Sequence, residues 1–308
     1  MSLSASLPSK THSHLGAILV AFAGVGFLSL MDAFMKEAAL AAGAYTATLL
    51  RSVVATVIIA PVWASRRPKW PHADVMKLHL ERGVISALMA LSFFFALTKL
   101  PLAEAIALSF IAPLIALYLA RILLGEEIQR AAILASILGF AGTIVIVGGR
   151  IGAGEFDPDA ALGMAALLFS ALLYAYNFIV IRRQSQRAGP IEIATFHSGI
   201  GGFVLLMFAP FLWVTPDLSV TTDIAAAGLL TVLGAMAIAW AYARAEAQTL
   251  VPIEYSGFVW ASVFGWLFFQ EGVTLTTLAG TALIVTGCLI ATRASSKAQA
   301  ELQGAEQA

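Results

Sequence analysis

Ten stretches, at 15–39, 44–64, 82–99, 101–120, 131–149, 160–181, 191–213, 223–243, 249–269 and 273–292, are apolar almost without interruption. Each approaches the roughly 20 residues a helix needs to cross about 30 Å of hydrocarbon. Lipid offers no partner for an unpaired backbone group, so only helices and closed barrels span it. Barrel strands alternate between lipid-facing and lumen-facing side chains, and these runs do not alternate. Composition closes the remaining routes, because 60% of the residues are hydrophobic and 12% charged. A soluble domain of that make-up lacks the polar surface to cover its exterior, and a disordered chain needs low hydrophobicity. The sequence therefore predicts an all-α integral membrane protein with ten transmembrane helices. Its 18 basic and 18 acidic residues cancel, which leaves no global field for nucleic acid. The single cysteine, Cys288, permits neither an internal disulfide nor a cysteine metal cluster. The first apolar run is too long for a cleaved signal peptide, and no small-x-small site precedes a soluble domain.

Basic residues orient the spans. With the N-terminus inside, cytoplasmic segments carry Lys10, Arg66, Arg67, Lys69, Lys77, Arg121, Arg130, Arg182, Arg183, Arg187, Arg244, Arg293 and Lys297. The outside carries only Lys36, Lys99 and Arg150, so both termini are expected in the cytoplasm. A tail at 1–14, five-helix halves at 15–150 and 151–293, and a second tail at 294–308 follow from the joints. Shifting residues 83–142 by 145 lays them over 228–287 without a gap. Gly83 then meets Gly228, Leu88 meets Leu233, Glu126 meets Glu271 and Gly142 meets Gly287. Five is odd, so the halves would insert with opposite polarity, an arrangement typical of secondary transporters.

Several segments make the chain similar to a known family. They are Met31-Asp32-Ala33-Phe34-Met35-Lys36 with Arg51, Leu100-Pro101-Leu102-Ala103-Glu104-Ala105 leading to Ala112-Pro113-Leu114, and Leu124-Gly125-Glu126. The second half offers Pro252-Ile253-Glu254-Tyr255, Trp260-Ala261, Gly265-Trp266 and Phe269-Gln270-Glu271. Through these the chain resembles the drug/metabolite transporter superfamily, in its ten-helix EamA type, over roughly 15–292. The resemblance implies a basket of ten helices, with helices 1, 3, 4, 6, 8 and 9 around a cavity, and transport of small organic solutes. Phe269-Gln270-Glu271 departs from the Leu-Gly-Glu that closes many such halves.

Ionisable groups inside spans are expensive, so each needs a partner, a cavity or an interface. Asp32 has Lys36 one turn away and Arg51 in the next span. Two roles are open to this trio, a structural charge pair or an external gate that meets substrate. Glu254, beside Tyr255, either faces the cavity or snorkels to the cytoplasmic interface. His197 at similar depth reads as hydrogen-bonded structure before proton relay, and Glu104 as a surface partner of Lys99. Tyr174 and Asn177, three apart, share a helix face expected to line the cavity, with Tyr176 turned away. Phe93, Phe94, Phe95, Trp240, Tyr242 and Trp260 are candidates for an aromatic box, whereas Trp63, Trp70 and Trp213 suit an interfacial belt. Gly24, Gly26, Gly199, Gly201, Gly202, Gly257 and Gly265 permit close helix approach.

No phosphate-binding glycine loop, metal-spaced His/Cys cluster or Ser-His-Asp arrangement is present. The expected function is secondary transport of amino-acid-, nucleoside-, vitamin- or S-adenosylmethionine-like metabolites across an inner membrane by alternating access. Expected partners are a small-molecule substrate, the bilayer and a proton gradient if one is coupled, in a monomer or homodimer with no cofactor, metal or enzymatic step. A lipid-linked flippase and an intramembrane transferase are the alternatives. The transferase requires clustered acids or histidines at one face, and the acids here are scattered.

Overall fold

The computed structural model describes residues 10–66, 69–124, 130–152, 158–242, 244, 250 and 253–306. Among the described residues the chain forms twelve helices and no strand. They are α1 (Lys10–Ala42), α2 (Ala44–Ser65), α3 (Ala73–Leu97), α4 (Leu102–Ser109), α5 (Ala112–Leu124) and α6 (Arg130–Gly152). After these come α7 (Pro158–Ser185), α8 (Pro190–Leu206), the single turn α9 (Ala209–Leu212), α10 (Leu218–Tyr242), α11 (Gly257–Phe269) and α12 (Leu275–Glu306). Seven stretches are long and apolar enough to span a bilayer, one of them covering α4 and α5 together. Shorter apolar helices at Pro190–Leu206, Gly257–Phe269 and Leu275–Ile290 occupy the other three expected positions.

Local chemistry sets several boundaries. Gly43 joins α1 to α2 at φ 83, in the left-handed region that a side chain resists. Asp217 caps α10 by accepting from the Val220 amide at 2.9 Å and the Ser219 hydroxyl at 2.8 Å. Those two donors hold its carboxyl below the usual carboxylate range. Thr274 caps α12 in the same way, accepting from the Thr277 amide at 3.1 Å.

Three departures from the sequence expectation have physical causes. The segment before residue 82, expected as loop, is helical from Ala73, because its polar residues find buried partners described below. The fourth span breaks at Phe110–Ile111, where Pro113 denies the Ser109 carbonyl its helical donor. The ninth breaks at Tyr255–Ser256, the positions that the 145-residue shift lays over Phe110–Ile111. The two breaks touch, the Phe110 and Tyr255 rings meeting edge to face with centroids 5.2 Å apart.

Packing follows the same exchange of halves. α1 lies along α10 and α3 along α7, while α2 meets α8 and α6 meets α12. At the α6–α12 crossing a Cβ on Gly142 would fall 2.5 Å from the Gly280 carbonyl oxygen. One on Gly287 would fall 2.6 Å from that of Ala135, so neither site admits a side chain without separating the helices. Under the shift, Gly142 with Gly280 becomes Gly287 with Ala135. Alanines and leucines of α1 to α4, with Phe258, Ala261, Ile284 and Cys288 from the second half, form one core around this frame.

Candidate functional site

The tight turn at Gly43 folds α1 back on α2, which brings Asp32 and Arg51 into one region. Their charges act on each other, yet among the described residues they do not close into an ion pair. The Arg51 guanidinium lies over the Phe94 ring, 5.2 Å from its centroid, a favourable cation–π position. Arg51 Nε, Ser86 Oγ of α3 and His197 Nδ1 of α8 are buried, with no hydrogen-bond partner among the described residues. All three residues line a cavity of about 260 Å³ between α2, α3, α8 and α10. Tyr174 of α7 is 43% exposed and meets the Phe178 ring edge to face, centroids 4.8 Å apart.

The other expected site residues are placed differently. Asn177 is only 8% exposed, and its Oδ1 accepts from Arg82 Nε at 3.1 Å. The expected common face fails because α3 presents a buried guanidinium that needs that amide. Phe94, 3% exposed, belongs to the core and supports Arg51 from below. The Trp260 indole donates from Nε1 to the Phe22 carbonyl at 3.1 Å and stacks on Phe264. It fills the space over Gly26, where a Cβ would come within 2.9 Å of its ring, so it ties α11 to α1. Trp240 lies under the Arg244 guanidinium, 4.0 Å from its ring centroid, near the end of α10. Tyr255 sits in the ninth-span break against Phe110. These partners do not assemble the expected aromatic box.

The charge pairing is also corrected. Lys36 bonds Glu271, not Asp32, and donates to the Leu100 carbonyl at 2.8 Å. The other Glu271 oxygen accepts from the Leu102 amide at 2.7 Å. Gln270 makes this reach possible by taking φ 55, in the left-handed region that ordinarily favours glycine. Its first-half counterpart Gly125-Glu126, like Pro252, lies outside the described residues. Glu104 pairs with Arg150 at 3.0 Å, while Lys99 pairs with Asp159 at 2.7 Å.

One cluster escaped the sequence reading. His79, fully buried, contacts Glu192 of α8 through Nε2 at 3.0 Å and Gln184 of α7 through Nδ1 at 2.6 Å. Arg82 adds bonds to Asn177 and, at 3.2 Å, to Gln184. The signal was present: 79 and 82 are three apart and 177 and 184 seven apart, spacings that share a helix face.

The EamA-like transporter family model matches this chain twice, over residues 15–148 and 161–293. The chain belongs to the EamA-like transporter family. That places it in the drug/metabolite transporter superfamily and makes it a multi-pass membrane protein. It is 28% identical to the pseudopaline exporter CntI of Pseudomonas aeruginosa, over 90% of this chain and 96% of that one. It is 25% identical to a riboflavin transporter of Brucella anthropi, over 79% and 86% of the two chains. A third relative is an S-adenosylmethionine uptake transporter of Rickettsia bellii, 23% identical over 73% and 75%. A crystal structure 20% identical in sequence superposes with a TM-score of 0.58 over 94% of this chain and 99% of that one. That last likeness speaks for the fold alone.

Proposed function

We propose that this EamA-family protein is a secondary transporter that moves small organic metabolites across an inner membrane by alternating access. The halves 15–150 and 151–293 are the moving units, both termini are cytoplasmic, and no covalent chemistry is performed on the solute. The observation that carries the reading is the cavity lined by Arg51, Ser86, His197 and Thr231, set between helices of both halves. A cavity with a cation and unmet donors suits a polar organic solute, and the relatives are named for pseudopaline, riboflavin and S-adenosylmethionine. The breaks at Phe110–Ile111 and Tyr255–Ser256 support the same reading, because discontinuous helices at a repeat interface are where such proteins bind and flex.

The test is reconstitution in proteoliposomes, with candidate solutes taken from a thermal-stabilisation screen of vitamins, nucleosides, amino acids and S-adenosylmethionine. A stabilising solute should exchange across the membrane with no nucleotide present, and Tyr174→Phe should slow that exchange without lowering protein yield. Stabilisation by a solute that never crosses would contradict the proposal.

A further inference from the structure

The cavity beside Arg51 has a chemistry of its own. Its three unmet buried groups come from three helices, Arg51 Nε from α2, Ser86 Oγ from α3 and His197 Nδ1 from α8. Arg51 Nε–H and the Ser86 hydroxyl are donors, and His197 Nδ1 is one in the tautomer that protonates it. The other hydroxyls on the wall have committed their protons to main-chain carbonyls. Ser52 donates to Thr48 at 2.9 Å, Ser198 to Ala194 at 3.0 Å and Thr231 to Ala227 at 2.8 Å. The remaining lining, with Ala55, Ile58 and Ala90, is apolar. Asp32 acts on Arg51 through space but accepts no hydrogen bond from it among the described residues, which leaves the Nε edge open.

We propose that this cavity is a carboxylate subsite, receiving the anionic end of the transported solute on Arg51, Ser86 and His197. The inference rests on the transport reading for what is bound and adds the solute's chemical class. A planar carboxylate accepts from a guanidinium edge with one oxygen and from a hydroxyl and an imidazole with the other, which uses every free donor. A phosphate would turn further oxygens toward the lone pairs of Ser52, Ser198 and Thr231. At about 260 Å³ the space falls below the ~300–1,000 Å³ of sites that enclose a whole drug-sized ligand. It therefore holds one end of the solute while the rest extends beyond the cavity.

The experiment is thermal stabilisation of the purified full chain in nanodiscs by acid and amide pairs. The pairs are glutamate with glutamine, nicotinate with nicotinamide and benzoate with benzamide, with inorganic phosphate alongside. At least one acid should raise Tm saturably while its amide does so only at much higher concentration. Ser86→Ala should weaken that acid about tenfold, the loss expected for one hydrogen bond to a charged group, with the unliganded Tm unchanged. Arg51→Gln should abolish the effect, and His197→Gln should reduce it. If no acid stabilises, if amides or phosphate serve equally well, or if Ser86→Ala leaves the acid's affinity intact, the subsite is wrong. An acid that binds through Ser86 and is never moved in proteoliposomes overturns the transport reading and leaves the subsite standing. Flux of a solute without a carboxylate, insensitive to Ser86→Ala, does the reverse.

Discussion

Arg82 with His79 and Arg51 with His197 are the same pair of residue types, buried in one protein and finished differently. Around Arg82 the donors and acceptors close on one another: Asn177 and Gln184 take the guanidinium, while Gln184 and Glu192 take both nitrogens of His79. Around Arg51 they do not, and among the described residues Nε, the Ser86 hydroxyl and His197 Nδ1 all remain unmet beside the cavity. An unsatisfied buried polar group costs about 1–3 kcal/mol. Closure of a network makes a brace that holds α3, α7 and α8 together. An open network at similar cost is tolerated where something else is to fill it.

Lys36 belongs with the closed class and supplies the largest test of the difference. It is 3% exposed, and its charge is met by Glu271. Glu271→Gln should therefore destabilise the fold by about 3–5 kcal/mol, since it leaves a buried cation without its counter-charge. The check is folded yield and Tm in nanodiscs, and an unchanged Tm would remove the bridge from the frame. A smaller effect is expected at Gln184, which serves Arg82 and His79 together. Gln184→Leu should cost about 1.5–3 kcal/mol, the range for a hydrogen bond to a charged group. The open cluster gives the smallest effect. Ser86→Ala removes a hydroxyl with no hydrogen-bond partner among the described residues, so Tm without ligand should stay within error of wild type. A loss at Ser86 as large as that at Gln184 would erase the distinction between the two clusters.

Much of the frame was legible in the sequence. Ten apolar runs gave the helices, and the 145-residue shift pointed to Gly142 and Gly287, which the structure places in the α6–α12 crossing. The charge partners were not legible. Lys36 sits one turn from Asp32, and spacing along one helix favours that local pair. Its real partner is 235 residues away and reaches it only because Gln270 adopts a backbone conformation that glutamine rarely takes. Asn177 was misread for a related reason. Helical spacing fixed which residues share a face, but the buried Arg82 on another helix decided what Asn177 bonds. Tyr174 stays 43% exposed, because no buried group on a neighbouring helix claims its hydroxyl among the described residues.

The central proposal is that the open surface of Tyr174 meets an aqueous transport path, while Asn177, three residues on, is sealed into a brace. Single cysteines at the two positions, in a Cys288→Ser background, test it through their rates of reaction with a small charged thiol reagent in membranes. The account predicts that Tyr174→Cys reacts readily and is protected by a transported solute, whereas Asn177→Cys stays silent. Equal reactivity at both positions, or a silent Tyr174→Cys in a folded protein, would contradict it.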